Sequence, residues 1–281
     1  VLSIPLGSIC RSKQSTRRTV VYKMPRVSVI MGVYNSNREW LLNSIDSICK
    51  QTFSDFEFVI CNDASSNETY QWVKERAEQD SRIKLVSNSE NQGLAGSLNH
   101  CFEIAVGELI ARQDDDDISE LLRLEQQVQF LDQNPEYALV GTNASVIDAQ
   151  GTVWGQYQCE ETPQKNTFLW SNPFAHPTIV MRADVLRKLN GYRVAQETRR
   201  CEDYDLFMRL YAAGYRGYNL QEDLYQYRIL NEKKRYRPMK DRIDEAIVRG
   251  KGYRALGLLP QGIPYAVKPL LVGMIPTKLY Q

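Results

Sequence analysis

Ile110-Ala111-Arg112-Gln113-Asp114-Asp115-Asp116-Asp117-Ile118 is the stretch on which the reading of this chain turns. Four adjacent carboxylates follow a short apolar run. Left unpaired they repel one another, and the cost grows when they are even partly desolvated. Alone, the tetrad reads either as a solvated acidic loop or as a site for a divalent cation with an anionic ligand. Its flanks favour the second reading. Gly107 to Arg112 has the pattern of an entering strand, while Leu121, Leu124, Val128 and Leu131 predict a helix beginning near Ser119. A strand, an acidic turn and a helix would set the carboxylates at a strand's C-terminal end, where open α/β sheets bind ligands.

A calcium-binding helix-loop-helix is excluded by spacing. With Asp114 first, Asp116 third and Glu125 twelfth, the fifth place needs Asp or Asn and the sixth Gly, yet Ile118 and Ser119 stand there. The cluster suits a metal held by one or two side chains and by substrate phosphates, as Mg2+ or Mn2+ is held with nucleotides.

The 281 residues suffice for one large domain, or one domain with an appendage. With 43% apolar residues and 16 tyrosines the chain can bury a sizeable core. A net charge of +1 argues against nucleic acid as a partner. Cys10, Cys49, Cys61, Cys101, Cys159 and Cys201 form no C-x-x-C pair and no zinc spacing, and read as reduced thiols of a cytosolic protein. No apolar run approaches a membrane span, and the first twenty-odd residues lack a signal-peptide core. Residues 1–23 carry Arg11, Lys13, Arg17, Arg18 and Lys23 without an acid; they read as a flexible basic leader, with Met24 a candidate start.

From Arg26 the pattern is strong. Val27 to Tyr34 reads as a buried strand, and Asn35-Ser36-Asn37 can cap a helix carrying Trp40, Leu41, Ile45 and Ile48 on one face. Phe56 to Cys61 is a second strand, followed by a polar helix at about 68–79 and a short strand Ile83 to Val86. Gly93 opens a helix through Leu98, Phe102 and Ile104. Alternation at this spacing implies a mostly parallel, doubly wound sheet. Two strand ends carry groups suited to a nucleotide. Tyr34 can stack on a base or simply pack; Asp63 can accept from a base N–H or simply cap a helix.

Several blocks together resemble glycosyltransferase family 2. Pro25 to Asn35 looks like its opening strand; Gln51 to Ser65 looks like its second block, which usually ends Asp-Asp-Gly-Ser. Asn91-Gln92-Gly93-Leu94-Ala95 with Asn99 resembles the third block, and Arg112 to Asp117 its Asp-x-Asp metal motif. Gly32 stands where the family usually has Pro, and Asn62 where it has the first Asp. The likeness spans about 25–230. It implies the GT-A fold, a mostly parallel doubly wound sheet with helices on both faces, over residues 24–230.

Downstream, Tyr137 to Gly141 is strand-like and 143–158 reads as a hairpin turning at Ala149-Gln150-Gly151. Asn172 to Thr178 is a loop before a strand Ile179-Val180-Met181, and His176 in it is a candidate metal or acceptor contact, or a structural hydrogen bond. Arg200 to Leu210 holds a second acidic cluster at the start of a helix, where Glu202 and Asp203 also suit the helix dipole. The family places its catalytic base in this Glu-Asp pair, and Asp203 occupies that position; Asp205 is the weaker candidate. Residues 228–254 hold ten Lys or Arg against four acids. Residues 231–281 read as a C-terminal extension: a helix over 239–256, then an apolar, basic tail whose Pro264, Pro269 and Pro276 argue against a long regular helix. That tail would pack back on the domain or lie on an anionic membrane, with the membrane favoured.

The resemblance thus implies an inverting sugar transferase using a nucleotide diphosphate sugar, with UDP the expected nucleotide. Val33, Tyr34, Asn35, Asp63 and Gly93 would surround the nucleotide, Asp114 and Asp115 the ribose and metal waters, and Asp116 would bind Mg2+ or Mn2+. Asp203 would be the base, with Glu202 or His176 near the acceptor, a saccharide or lipid-linked saccharide. The expected setting is cell-surface polysaccharide synthesis in the cytoplasm, at the inner face of the membrane. A nucleotidyltransferase would show a Gly-rich phosphate loop and a Lys near the first strand, and neither is evident. A non-catalytic sugar-nucleotide-binding module would not need Asp203.

Overall fold

The computed structural model describes residues 24–230 and 238–274. The leader 1–23 and parts of the C-terminal extension, 231–237 and 275–281, therefore lie outside the described residues. Val27–Val33 (β1), Phe56–Asn62 (β2), Ile83–Ser87 (β3) and Leu109–Arg112 (β4) form a parallel platform in the order β3-β2-β1-β4. Arg38–Cys49 (α1), Thr69–Gln79 (α2) and Gly93–Ile104 (α3) connect these strands. Alternate side chains of β1 face opposite ways, which splits the core in two. Val27, Val29, Met31 and Val33 pack with Leu41, Ile45 and Ile48 of α1, whereas Ile30 packs with Leu98 and Cys101 of α3. Helices thus cover both faces, as expected.

The second half of the sheet mixes directions. Val180–Arg182 (β8) runs antiparallel to β4 and to Leu139–Ile147 (β6); Gly217–Arg228 (β9) lies parallel to β6. Val153–Tyr157 (β7) closes the expected hairpin on β6, turning through Gly151 at φ 83°. Two elements depart from expectation. Ile118–Ser119 (β5) is not helix but pairs antiparallel with Gln226 and Tyr225 of β9, so Arg123–Gln133 (α4) starts later than Ser119 and Leu121 is exposed. The cause is Arg123, fully buried, whose guanidinium donates to Gln113 Oε1 at 3.0 Å and to Ser119 Oγ at 2.7 Å. This brace holds the tetrad loop extended past the point where α4 would otherwise begin.

Ala183–Lys188 (α5) and Glu202–Ala212 (α6) follow β8, and α6 packs against Met239–Leu256 (α7). Ile263–Met274 (α8) packs on α7 and is a three-turn helix, short of the long regular helix that the prolines argue against. Pro264 lies in its first turn, where no backbone donor is required, and Pro269 sits inside. Of the two sites expected for the tail, the domain is where α8 packs: Tyr265 lies against Trp170, ring centroids 4.9 Å apart. Val248, Tyr253 and Leu256 of α7 join the same core cluster as α6.

Candidate active site

The loop after β1 begins with buried Val33, exposed Tyr34 and then Asn35, which has φ 50°, a left-handed conformation that Asn tolerates. Asn35 Oδ1 accepts from the Ser66 and Asn67 backbone N–H groups at 2.8 and 3.3 Å, tying this loop to the one after β2. Tyr34 is left 52% exposed on the rim, free to stack on a ring. Asp63 is buried and caps a helix, though not the one that follows it. Its Oδ1 accepts from Asn88 Nδ2 at 2.7 Å and Gln92 N at 2.8 Å, and its Oδ2 accepts from Gly93 N at 2.8 Å. Asp63 therefore holds the N-terminus of α3, where Gly93 has φ 75° and no atom within 4 Å of where a Cβ would stand. One lone pair of Oδ2 remains for a further donor.

The tetrad does not act as one block. Asp115 turns away from its neighbours and accepts from Ser36 Oγ, while Asp114, Asp116 and Asp117 bring carboxylate oxygens within 4.8 Å of one another. Arg112, buried at the end of β4, pairs with Asp114. Arg228, at the end of β9, donates its backbone N–H to Asp117 Oδ1 at 2.7 Å and its Nε to the Asp116 carbonyl at 2.7 Å. Asp117 Oδ2 is buried with no partner. Burial, with the charges of Asp114 and Asp116, pushes the Asp117 carboxyl well above its ordinary range. Burial and Asp114 raise Asp116 to about 6, and burial raises Asp115 to about 7. Three converging, half-desolvated carboxylates with an orphaned oxygen fit a hard divalent cation. The set thus includes Asp117, which the sequence reading left out, and omits Asp115 and His176.

His176 is buried and its Nε2 lies 2.8 Å from Tyr192 Oη, a structural hydrogen bond, which is one of the three uses expected for it. Burial and the charge of Arg112 hold its pKa well below the usual value, so the ring is neutral.

The second cluster starts α6. Asp203 Oδ2 accepts from Asn172 Nδ2 at 2.7 Å and Oδ1 from Tyr204 N at 2.7 Å. Asp205 faces elsewhere, between Arg193 at 2.8 Å and Arg209 at 2.7 Å. Glu202 is buried, with Oε2 unpartnered. Burial and Asp203 raise Glu202 to about 8, and the charges of Arg112 and Asp114 also reach it. Burial raises Asp203, and Arg112 opposes that rise. The charge of Arg112 therefore acts on both acidic clusters. Burial lowers the Arg112 pKa, but the carboxylate of Asp114 beside it outweighs that and holds it above the usual value.

Arg112, Arg228, Ser36 and Asn172 are site residues to which the sequence reading assigned no role. Asn99, quoted as part of the third block, is structural: it exchanges hydrogen bonds of 2.8 Å with the Tyr192 backbone N–H and carbonyl. Asn62 is buried with Oδ1 unpartnered.

The profile of Glycosyl transferase family 2 matches residues 28–189, which contain both strand-end loops and the tetrad. EpsE of Bacillus subtilis (strain 168), named as a glycosyltransferase, is 44% identical over 254 residues, 90% of this chain and 91% of EpsE. The O-antigen biosynthesis glycosyltransferase WbnJ of Escherichia coli is 36% identical over 73% of this chain and 80% of its own. In fold, the chain matches S. aureus TarS 1-349 in complex with UDP-GlcNAc at TM-score 0.68 and 17% identity, over 91% of this chain and 77% of that one. Fold, profile and relatives agree: the chain is a glycosyltransferase and belongs to glycosyltransferase family 2.

Proposed function

We propose that the protein moves a sugar from a nucleotide diphosphate sugar, with UDP as the nucleotide, to an acceptor hydroxyl, inverting the anomeric centre. The observation that carries this reading is the pair of acidic clusters, one converging and one holding a carboxylate against Asn172, both acted on by the charge of Arg112. One cluster suits a cation with a diphosphate, and the other supplies a buried carboxylate with a raised pKa. The UDP-GlcNAc complex of TarS and the O-antigen role in the name of WbnJ support a nucleotide-sugar donor and a polysaccharide product.

Asp114, Asp116 and Asp117 would hold Mg2+ or Mn2+, which when bound neutralises charge on the diphosphate. Tyr34 stacks on the base, and the free lone pair of Asp63 Oδ2 accepts from its N–H. Asp115, set by Ser36, faces the ribose. Asp203, oriented by Asn172, accepts the proton of the acceptor hydroxyl as that oxygen attacks the anomeric carbon. The bond to the acceptor oxygen forms as the bond to the diphosphate oxygen breaks. The nucleoside diphosphate leaves with the electron pair from the opposite face, so one displacement inverts the centre. Incubating the protein with a panel of UDP-, GDP- and TDP-sugars and following nucleotide release with and without Mn2+ tests this. Release from a UDP-sugar only with metal is expected; no release from any donor would contradict the reading.

The acceptor is a saccharide, lipid-linked in the fuller form of the proposal, on the cytoplasmic face of the membrane. Among the described residues no helix is long and apolar enough to cross a membrane. Contact would be peripheral: Ile263, Val267, Leu271 and Met274 form an exposed apolar stripe on α8, beside exposed Lys268. Flotation with anionic liposomes should carry the whole protein upward and leave a variant lacking 263–281 behind. Equal flotation of the two would count against membrane contact.

A further inference from the structure

A cavity of about 490 Å3 lies beside Asn172, the hydrogen-bond partner of Asp203, and falls within the roughly 300–1,000 Å3 typical of small-ligand sites. Its wall includes Asn172, which holds Asp203 at 2.7 Å and whose own Oδ1 is buried without a partner. Tyr157 forms another wall, and its hydroxyl feels the charge of Asp203. One wall of the cavity is therefore a single hydrogen bond away from Asp203.

Its chemistry differs from that of the tetrad. Gln158, Gln164, Asn166 and Asn172 contribute amides, and Trp170 an indole that is 66% exposed although it is a large apolar group. The lining contains no Lys, Arg or His, and its one acid, Glu160, already accepts from Thr167 Oγ at 2.8 Å. A phosphate would find no cation here. Amides that both donate and accept, beside an exposed aromatic face, match a neutral polyhydroxylated ring with an apolar face. A second cavity, of about 440 Å3, is lined by Glu197, Arg199, Arg200, Lys240, Asp241 and Asp244 and offers no such match.

Resting on the transferase reading above, we propose that this cavity binds an uncharged pyranose unit of the acceptor, stacked on Trp170. Tyr265 of α8 packs edge-on against the indole, ring centroids 4.9 Å apart, so the C-terminal extension fixes the platform. Acceptor choice is then shared between the loop at 157–173 and α8. A lipid-linked acceptor would place its sugar here and its diphosphate elsewhere.

Saturation-transfer NMR with the methyl glycosides of glucose, galactose, mannose and N-acetylglucosamine, at saturating UDP and Mg2+, tests the proposal. At least one glycoside should receive saturation from the wild-type protein. Trp170→Ala should weaken its binding by about tenfold, Trp170→Phe should retain most of it, and UDP affinity should be unchanged in both. No transfer to any of the four, or equal binding by Trp170→Ala, overturns the proposal. Glycoside binding in a protein that releases nucleotide from no donor would sink the transferase reading and leave the cavity a saccharide site. Donor turnover with no glycoside bound would sink the cavity alone.

Discussion

The two acidic clusters have similar composition and opposite geometry. Asp114 to Asp117 lie in a loop between β4 and β5, and three of the four converge. Glu202, Asp203 and Asp205 lie in the first turn of α6 and diverge, because successive residues of a helix point about 100° apart. Asp205 ends between Arg193 and Arg209, Asp203 against Asn172, and Glu202 in the core with an orphaned oxygen. A loop can gather consecutive side chains on one point, at a cost in repulsion that only a cation or charged partners offset. A helix gives consecutive carboxylates separate tasks. Convergence thus suits metal binding and divergence suits a single base, and the charge of Arg112 acts on both.

The sharpest way to break this comparison is to remove one converging carboxylate. Asp116→Ala relieves repulsion, so the protein should stay folded, while the gain in donor affinity given by Mn2+ disappears. That loss should exceed the roughly 10–100-fold cost of losing an outer partner of a metal site. Donor titration with and without Mn2+ checks it, and an unchanged gain would remove Asp116 from the metal set.

A smaller effect is expected from the link between the clusters. Arg112 opposes the upward shift of Asp203 caused by burial. Without that charge the carboxyl would ionise at higher pH, and a base must be ionised to act. Arg112→Gln should therefore move the acidic limb of the pH profile of kcat/KM upward, on the order of one unit. A pH-rate series on acceptor transfer measures it. A limb that stays in place, or moves down, would uncouple the clusters.

Much of this was legible in the sequence because the signals are local. The alternation of β1, the cap at Asn37 and the apolar face of α1 are read within a dozen residues, and Asn37 Oδ1 does accept from Glu39 N at 3.0 Å. What escaped depends on distant partners. Arg228 meets Asp116 across 112 positions of sequence, and Asn172 meets Asp203 across 31. β9 was invisible for another reason: its register against β6 shifts between Thr142 and Asn143 and again before Ser145, which spoils the period of two. The tetrad announced a cation site, but which three of its four members converge depends on the loop conformation. Asp115 reveals its direction only through Ser36.

Asp203 is proposed as the base, with little part in holding the donor. Asp203→Asn keeps the shape and can still meet Asn172, but it cannot take a proton. Measuring kcat and donor KM for acceptor transfer by this variant tests the claim most directly. A fall in kcat of about 10²–10⁴-fold with donor KM nearly unchanged is expected. A variant that keeps its kcat, or loses donor affinity instead, would contradict it and move the base to Glu202.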